Sequence, residues 1–448
     1  MKLSVREVAL AVGVSNIVAD VVATGISVDS RSLIVGDIFC AVEGNRVDGH
    51  LFVNQAIERG AVALLVSKEI SAPIPVLRVE NVVTALAKIA YEVRSRFSGD
   101  VFGITGSVGK TTVKELLSAA LGGDSAVMKT PGNLNSEYGV PMSWMHLEPF
   151  HQFAVIEMGM RGKGHIAHLC SFSRPNIGII SAIGLAHVGE VGSREAIVNI
   201  KGELIEALPK SGVAVLPAGK DFSELSSRAS CRIISFGESA DVSVVRTEIC
   251  ISNNKTIAEF SCFGRSLTGE LPGLGRGIAS NAAAVLGAVS AICADTENAL
   301  ALMATTQMPS GRLNAIHYND ATILVDVYNS SPESCIEALN VLSCATGKKS
   351  AILGDMLELG EMSINEHYKI GRKVGEIGVE RLFLVGELSS EIGRGAKETN
   401  PSILIHEFSN SDEASIVFQQ LESSETVLIK GSRGLQMENA LKNTGVKF

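Results

Sequence analysis

Short apolar runs closed by glycine or polar turns alternate along the chain with longer stretches of helical patterning, the rhythm of strands and helices in an α/β protein. In residues 1–97 the runs Gly36–Val42 and Ala61–Val66 are followed by a helical segment over Val82–Phe97, which predicts one small α/β unit. The next stretch opens with Val101-Phe102-Gly103-Ile104-Thr105, a buried-strand pattern, then a glycine-rich turn and a helix over Thr111–Leu121. Strands over Phe153–Glu157, Ile177–Ile183 and Val213–Leu216, separated by helical patterns, predict a parallel sheet covered on both faces. After Met308-Pro309-Ser310-Gly311-Arg312, a hinge, strands over Thr322–Val327, Ser350–Leu353, Arg381–Val385 and Thr426–Lys430 alternate with helices again, as in a Rossmann-like unit. The expectation is therefore an α/β fold in three parts. These are an N-terminal part over 1–97, a mononucleotide-binding parallel sheet over 98–309 and a Rossmann-like part over 310–448. The polar segment Ser239–Gly269 reads as irregular strands and turns, an excursion from the central sheet. No internal repeat interrupts this order.

A length of 448 residues exceeds what one core organises, which agrees with three units. The longest apolar stretch, Ala282–Ala294, is broken by Gly287 and Ser290 and is shorter than the roughly 20 residues a spanning helix needs, so no transmembrane segment is expected. The N-terminus carries Glu7 and lacks the pattern of a secretory signal, which points to the cytoplasm. Eight cysteines without any C-x-x-C pair argue for reduced, mostly buried thiols rather than a zinc or redox centre. A net charge of -9 argues against nucleic-acid binding, so an anionic nucleotide must be held by local groups.

Those local groups are present. Gly106, Ser107, Val108, Gly109, Lys110, Thr111 and Thr112 lie between a predicted strand and a predicted helix, where backbone N–H groups and the positive helix end can cradle phosphate. Gly106 and Gly109 permit close backbone approach, Lys110 reaches the β- and γ-phosphates, and the Thr111 hydroxyl can ligate Mg2+. The spacing is G-x-x-G-K-T, with Ile104 where the usual P-loop has its first glycine.

This variant loop resembles that of the Mur ligase family, and the similarity continues along the chain. Thr130-Pro131-Gly132-Asn133-Leu134-Asn135 resembles the family segment lining the muramoyl-peptide side of the cleft, with Asn133 and Asn135 as substrate contacts. The resemblance implies that Glu157, at a strand end, ligates Mg2+. It further implies that His187, in Gly184-Leu185-Ala186-His187, is a second metal-associated residue and that Lys201 is carbamylated by CO2. Carbamylation would give a lysine the oxygen ligands that Mg2+ requires. Asn281 is similar to the family asparagine that reads adenine, as an amide that donates and accepts can. Arg312 resembles the hinge arginine on the γ-phosphate, and Asp326, with Tyr328 and Asn329 after it, the aspartate that holds the ATP ribose.

Within the family, three segments are similar to the branch that adds D-alanyl-D-alanine. Asp29–Phe39 and Asp48–Phe52 resemble a UDP-binding unit, with Ser30, Arg31, Asp48, Gly49 and His50 as contacts. Leu353–Gly360, which contains Asp355 and precedes His367, and Lys430-Gly431-Ser432-Arg433 resemble the branch's third domain. The resemblance implies a monomeric, ATP- and Mg2+-dependent ligase joining D-alanyl-D-alanine to UDP-N-acetylmuramoyl-tripeptide through an acyl phosphate. The third residue of the tripeptide, diaminopimelate or lysine, stays open. So do two alternatives: another amide ligase of the superfamily, either tripeptide-forming or folylpolyglutamate synthase-like, and a regulatory P-loop NTPase. Val325, Ser331, Ala182 and His165 depart from the branch pattern, which has Asp, Asn, Asn and Glu there.

Overall fold

The computed structural model describes all residues except 1, 16, 18, 45, 46, 443, 447 and 448. It is an α/β protein built on three sheets. The first is a parallel ribbon of β1 (Ile26–Ser27), β2 (Ile38–Cys40), β3 (Ala63–Val66) and β4 (Val76–Arg78), in that order. Its chain starts in a helix, Val5–Val12, that Ser4 and Glu7 close with a reciprocal capping box.

The central sheet holds nine strands, β5 (Asp100–Thr105), β6 (Val127–Lys129), β7 (Phe153–Glu157), β8 (Ile177–Ile180), β9 (Val213–Pro217), β10 (Arg232–Gly237), β11 (Val242–Cys250), β12 (Lys255–Cys262) and β13 (Arg265–Pro272). Their order is β13-β12-β11-β10-β9-β8-β5-β7-β6, parallel from β6 to β11 and antiparallel from β11 to β13. The segment from Ser239 to Gly269 is therefore a regular continuation of the sheet and not an irregular excursion. Its signal is the alternation in Lys255–Cys262, where every second side chain is buried while the intervening ones are only partly so or exposed. The helix Arg276–Ala291 covers this sheet with Val285, Leu286 and Val289 fully or almost fully buried, each contributing about 1.5–3 kcal/mol. Gly287 lets it sit close, because a Cβ there would stand 3.2 Å from Ile234 and Val215.

The third sheet runs β14-β15-β19-β16-β17-β18, from β14 (Asn314–Tyr318), β15 (Ala321–Asp326), β16 (Lys349–Gly354), β17 (Arg381–Val385), β18 (Leu404–Phe408) and β19 (Thr426–Lys430). Only β14 is antiparallel to its neighbour. Neither β14 nor β18 is foreseen by the apolar runs, because both are edge strands with no fully buried residue. No helix among the described residues is long and apolar enough to cross a membrane.

Candidate active site

Both larger sheets change direction at an interior strand. In the central sheet β5 lies between β7 and β8, and in the third β19 lies between β15 and β16. At such a switch point the loops leaving the carboxyl ends of the strands part and open a crevice. The two crevices face each other, and between them lies a cavity of about 810 Å³. Its walls include Lys110, Glu157, His187, Lys201 and Asn281 on one side and Arg312, Asp326, Tyr328 and Lys430 on the other.

The phosphate loop leaves β5 and enters the helix Lys110–Ala120. Gly106 is required there, since a Cβ would meet Ser181 Oγ at 2.0 Å. At Gly109 the backbone is left-handed, and a Cβ would stand 2.4 Å from Asn281 Oδ1. Ser107 N–H donates to Ala182 O (2.8 Å), Ser107 Oγ to Gly184 O (3.1 Å) and Ser181 Oγ to Val108 O (2.6 Å). The strand β8 stops at Ile180 and not at Ile183: the Ser181 N–H still donates to Thr105 O at 2.9 Å, but the Ala182 carbonyl turns to the phosphate loop. Lys110 folds back so that Nζ donates to Gly106 O at 2.8 Å. Burial pushes its ammonium below lysine's usual range, with Glu157 raising it and Arg312 lowering it.

Glu157, at the end of β7, has one oxygen held by Asn135 Nδ2 at 2.8 Å, while Oε2 is buried without a hydrogen bond. Lys114 approaches that oxygen at 3.5 Å and donates to Gly132 O at 2.6 Å, tying the segment with Asn133 and Asn135 to the loop helix. Lys201 projects from the helix Arg194–Glu206 and is 1% exposed. Its Nζ contacts Met160 Sδ at 3.6 Å, and among the described residues no carboxylate stands within ion-pair distance. Burial, reinforced by Lys110, pushes the Lys201 ammonium well below its usual range. His187 has a left-handed backbone, with φ 66°. Its Nδ1 lies 2.7 Å from Glu358 Oε2, but the direction does not make a hydrogen bond. Burial and Lys110 lower its pKa and so favour neutral imidazole.

From the third sheet, Arg312 reaches across to Thr111, donating from Nη2 to Oγ1 at 3.1 Å, while its guanidinium stacks 3.8 Å above the Tyr328 ring. Its Nε is buried and makes no hydrogen bond among the described residues. Asp326 accepts from Lys430 Nζ at 2.6 Å, and the same ammonium donates to Asn329 O. Asp355 and Ser432 lie beside this wall, Ser432 N–H donating to Asp355 O at 3.1 Å and Ser432 Oγ accepting from Leu357 N–H at 2.8 Å. Asp355 Oδ1 is buried without a hydrogen bond among the described residues. Arg433 is turned outward in a pair with Glu438.

The residues expected to meet the UDP moiety do not line this cavity. Ser30 donates to Gln55, Arg31 pairs with Asp29, and Asp48 pairs with both Lys68 and His50 on turns of the first sheet. A Cβ at Gly49 would stand 2.7 Å from Val42 O, so the turn there depends on glycine. Three of the four departures have clear local roles. Ser331 caps the helix Pro332–Ser343, His165 pairs with Glu137, and Val325 is buried in the third core. Ala182 presents its carbonyl to the phosphate loop. The reading from sequence missed Lys114, although its position four residues after Lys110 puts both on one helix face. It also missed Glu358, whose backbone is left-handed with φ 66°.

Three family models match in register with this layout, described as the Mur ligase family catalytic domain (residues 22–94), the Mur ligase middle domain (104–289) and the Mur ligase glutamate ligase domain (311–433). A UDP-N-acetylmuramoyl-tripeptide–D-alanyl-D-alanine ligase of Synechocystis is 35% identical, covering 83% of this chain and 81% of the relative. The crystal structure of MurF from Acinetobacter baumannii is 30% identical and superposes with a TM-score of 0.90 over 99% of both chains. The MurF ligase of Thermotoga maritima, solved in complex with ADP, is 30% identical with a TM-score of 0.83, covering 93% of this chain and 96% of that one. The chain belongs to the Mur ligase family.

Proposed function

We propose that the protein joins D-alanyl-D-alanine to the terminal carboxylate of UDP-N-acetylmuramoyl-tripeptide at the expense of ATP. The observation that carries this reading is the pairing of Lys110 and Thr111 with Arg312 across one cavity, so that a triphosphate on the loop is within reach of both sheets. The names of similar proteins and the ADP complex of one of them support the substrate class.

In this account the loop N–H groups, Lys110 and Arg312 hold the β- and γ-phosphates while the tripeptide carboxylate attacks the γ-phosphorus. The bond to ADP breaks and an acyl phosphate forms. The neutral amine of D-alanyl-D-alanine then attacks the acyl carbon, an amide bond forms and phosphate leaves. Positioning and charge neutralisation dominate such chemistry, so no protein nucleophile is needed. Asn281 faces the adenine and Asp326 the ribose. The tripeptide lies along Asn133 and Asn135, with its UDP end toward Ser30, Arg31, Asp48, Gly49 and His50. The dipeptide meets Asp355, Lys430 and Ser432, and Arg433 joins them by leaving its outward pair with Glu438.

The cleft also fits Mg2+. Thr111 offers a hydroxyl oxygen, Glu157 a buried carboxylate oxygen with no hydrogen bond among the described residues, and His187 a ring nitrogen whose lowered pKa favours the neutral form. Lys201 fits as a carbamate. Burial lowers its pKa and favours the neutral amine, whose nitrogen lone pair can attack CO2, forming an N–C bond as a C=O π bond opens and releasing one proton. Bound Mg2+ would neutralise charge on the phosphoryl and carboxylate oxygens. A monomer belongs to the same reading, and use of ATP supports a cytoplasmic location.

Phosphate release in the presence of the tripeptide precursor, compared across amines, tests the reading. D-alanyl-D-alanine should stimulate release, while free glutamate and diaminopimelate should not. Release unaffected by any carboxylate or amine substrate would contradict it in favour of a regulatory NTPase.

A further inference from the structure

Glu333 and Glu337 stand one turn apart on the helix Pro332–Ser343, just after Asp326 and Tyr328, and both reach out of the third sheet's unit onto the central one. Glu333 Oε1 accepts from the N–H of Leu185 at 2.8 Å, and Glu337 Oε1 accepts from the N–H of Gly277 at 2.7 Å. Each carboxylate is seated against a glycine. A Cβ at Gly184 would stand 2.5 Å from Glu333 Cδ, and one at Gly275 would stand 2.3 Å from Glu337 Oε1.

The two receiving N–H groups are not arbitrary. Leu185 lies two residues before His187, in the turn whose Gly184 carbonyl already holds Ser107 of the phosphate loop. Gly277 is in the first turn of the helix that carries Asn281, and that helix begins at Gly275 with no side-chain cap of its own. The first N–H groups of a helix have no partner within it, and the positive helix end favours an anion. Glu337 supplies the missing cap from the other side of the cleft.

We infer that Glu333 and Glu337 are positioning residues for the ligase reaction, a two-point latch that docks the third sheet on the central one. Glu337 sets the adenine-side helix through its first turn, and Glu333 sets the turn bearing His187. Among the described residues Glu333 is held by the Leu185 N–H alone, since its other oxygen is buried and unpartnered. The inference rests on the proposed function, because it assigns the two ends of the latch to the nucleotide base and to the reacting phosphate.

The test is a set of single variants of the full chain. A hydrogen bond to a charged acceptor is worth enough to expect about a tenfold effect from each loss. Glu337→Ala should raise KM for ATP, and the Kd of a non-hydrolysable ATP analogue, by about tenfold, with kcat changing less. Glu333→Ala should lower kcat by about tenfold and leave analogue affinity within about twofold. Glu337→Gln and Glu333→Gln keep an oxygen that accepts from the same N–H and should recover to within about threefold of wild type. Glu337→Asp, charged but one methylene short, should behave as the alanine variant and replaces it if that variant does not fold. Alanine variants that only lower Tm, or glutamine variants as impaired as alanine, would overturn the latch. Analogue binding needs no acceptor substrate, so the Glu337 arm stands even if wild-type protein makes no amide product, an outcome that would sink the proposed function instead.

Discussion

Replacing Lys201 by methionine should make the protein both inactive and more stable. The side chain is 1% exposed, its amine meets only Met160 Sδ at 3.6 Å, and no carboxylate among the described residues is close enough to pair with it. An unpaired ammonium in such a place carries an effective desolvation penalty of several kcal/mol. Burial, reinforced by Lys110, pushes the Lys201 ammonium well below its usual range and so favours the neutral amine. A lysine with a lowered folded-state pKa binds fewer protons folded than unfolded. Stability therefore climbs as pH rises from the folded value toward the unfolded value near 10.4, and the deficit is largest below that window. In CO2-free buffer at pH 7, Lys201→Met should gain about 2 kcal/mol or more, which is about 4–8 °C in Tm for a cooperative unit of roughly 200 residues. Adding bicarbonate should stabilise and activate the wild type, by carbamate formation, and leave the variant unchanged. Differential scanning fluorimetry at several pH values, with and without bicarbonate, reads both effects. A variant less stable than wild type in CO2-free buffer, or one with the same bicarbonate response, would refute the reasoning. Lys201→Ala should be inactive and recover partly with a small added carboxylate such as formate.

Other outcomes follow from the same geometry. Lys110→Ala should lower ATP-dependent product formation by at least about two to three orders of magnitude, because it removes a charge aimed at the phosphates; near-normal turnover would contradict the loop assignment. Arg312→Lys loses the fork and the stacking on Tyr328 and should lower kcat/KM by about tenfold or more, read from initial rates at varied ATP. In the third sheet, burial pushes the Glu425 carboxyl up, but Arg381, the Glu422 N–H and Ser350 together hold it below the usual carboxylate range. That contribution is present above the unfolded pKa of about 4.3 and is lost as pH falls through the folded value. Arg381→Met should therefore cost about 3–5 kcal/mol at neutral pH, with the gap to wild type in urea melts shrinking as pH falls below about 4.

Much of this architecture was legible because the strands that matter are buried on both faces. Phe153–Glu157, Arg381–Val385 and Thr426–Lys430 each carry an unbroken apolar run of three or four residues flanked by a polar one, and they occur where those runs predict. The glycines and lysine of the phosphate loop were equally plain, since residue type alone demands a tight backbone beside an anion. What stayed hidden depends on pairing across long separations. Glu333 meets Leu185 over 148 residues of chain, and Arg312 meets Thr111 over 201, so no local pattern marks either contact. The strands β11 to β13 were obscured differently, because their exposed faces are polar enough to resemble turns.

The central claim is that this cleft makes an amide bond between two peptides with ATP as the driver. Mass spectrometry of the products formed from UDP-N-acetylmuramoyl-tripeptide, ATP and D-alanyl-D-alanine tests it directly. The account predicts a single new UDP-linked species, heavier than the tripeptide by the dipeptide less one water, with one phosphate released for each molecule formed. An unchanged tripeptide in a reaction that nonetheless consumes ATP would contradict it.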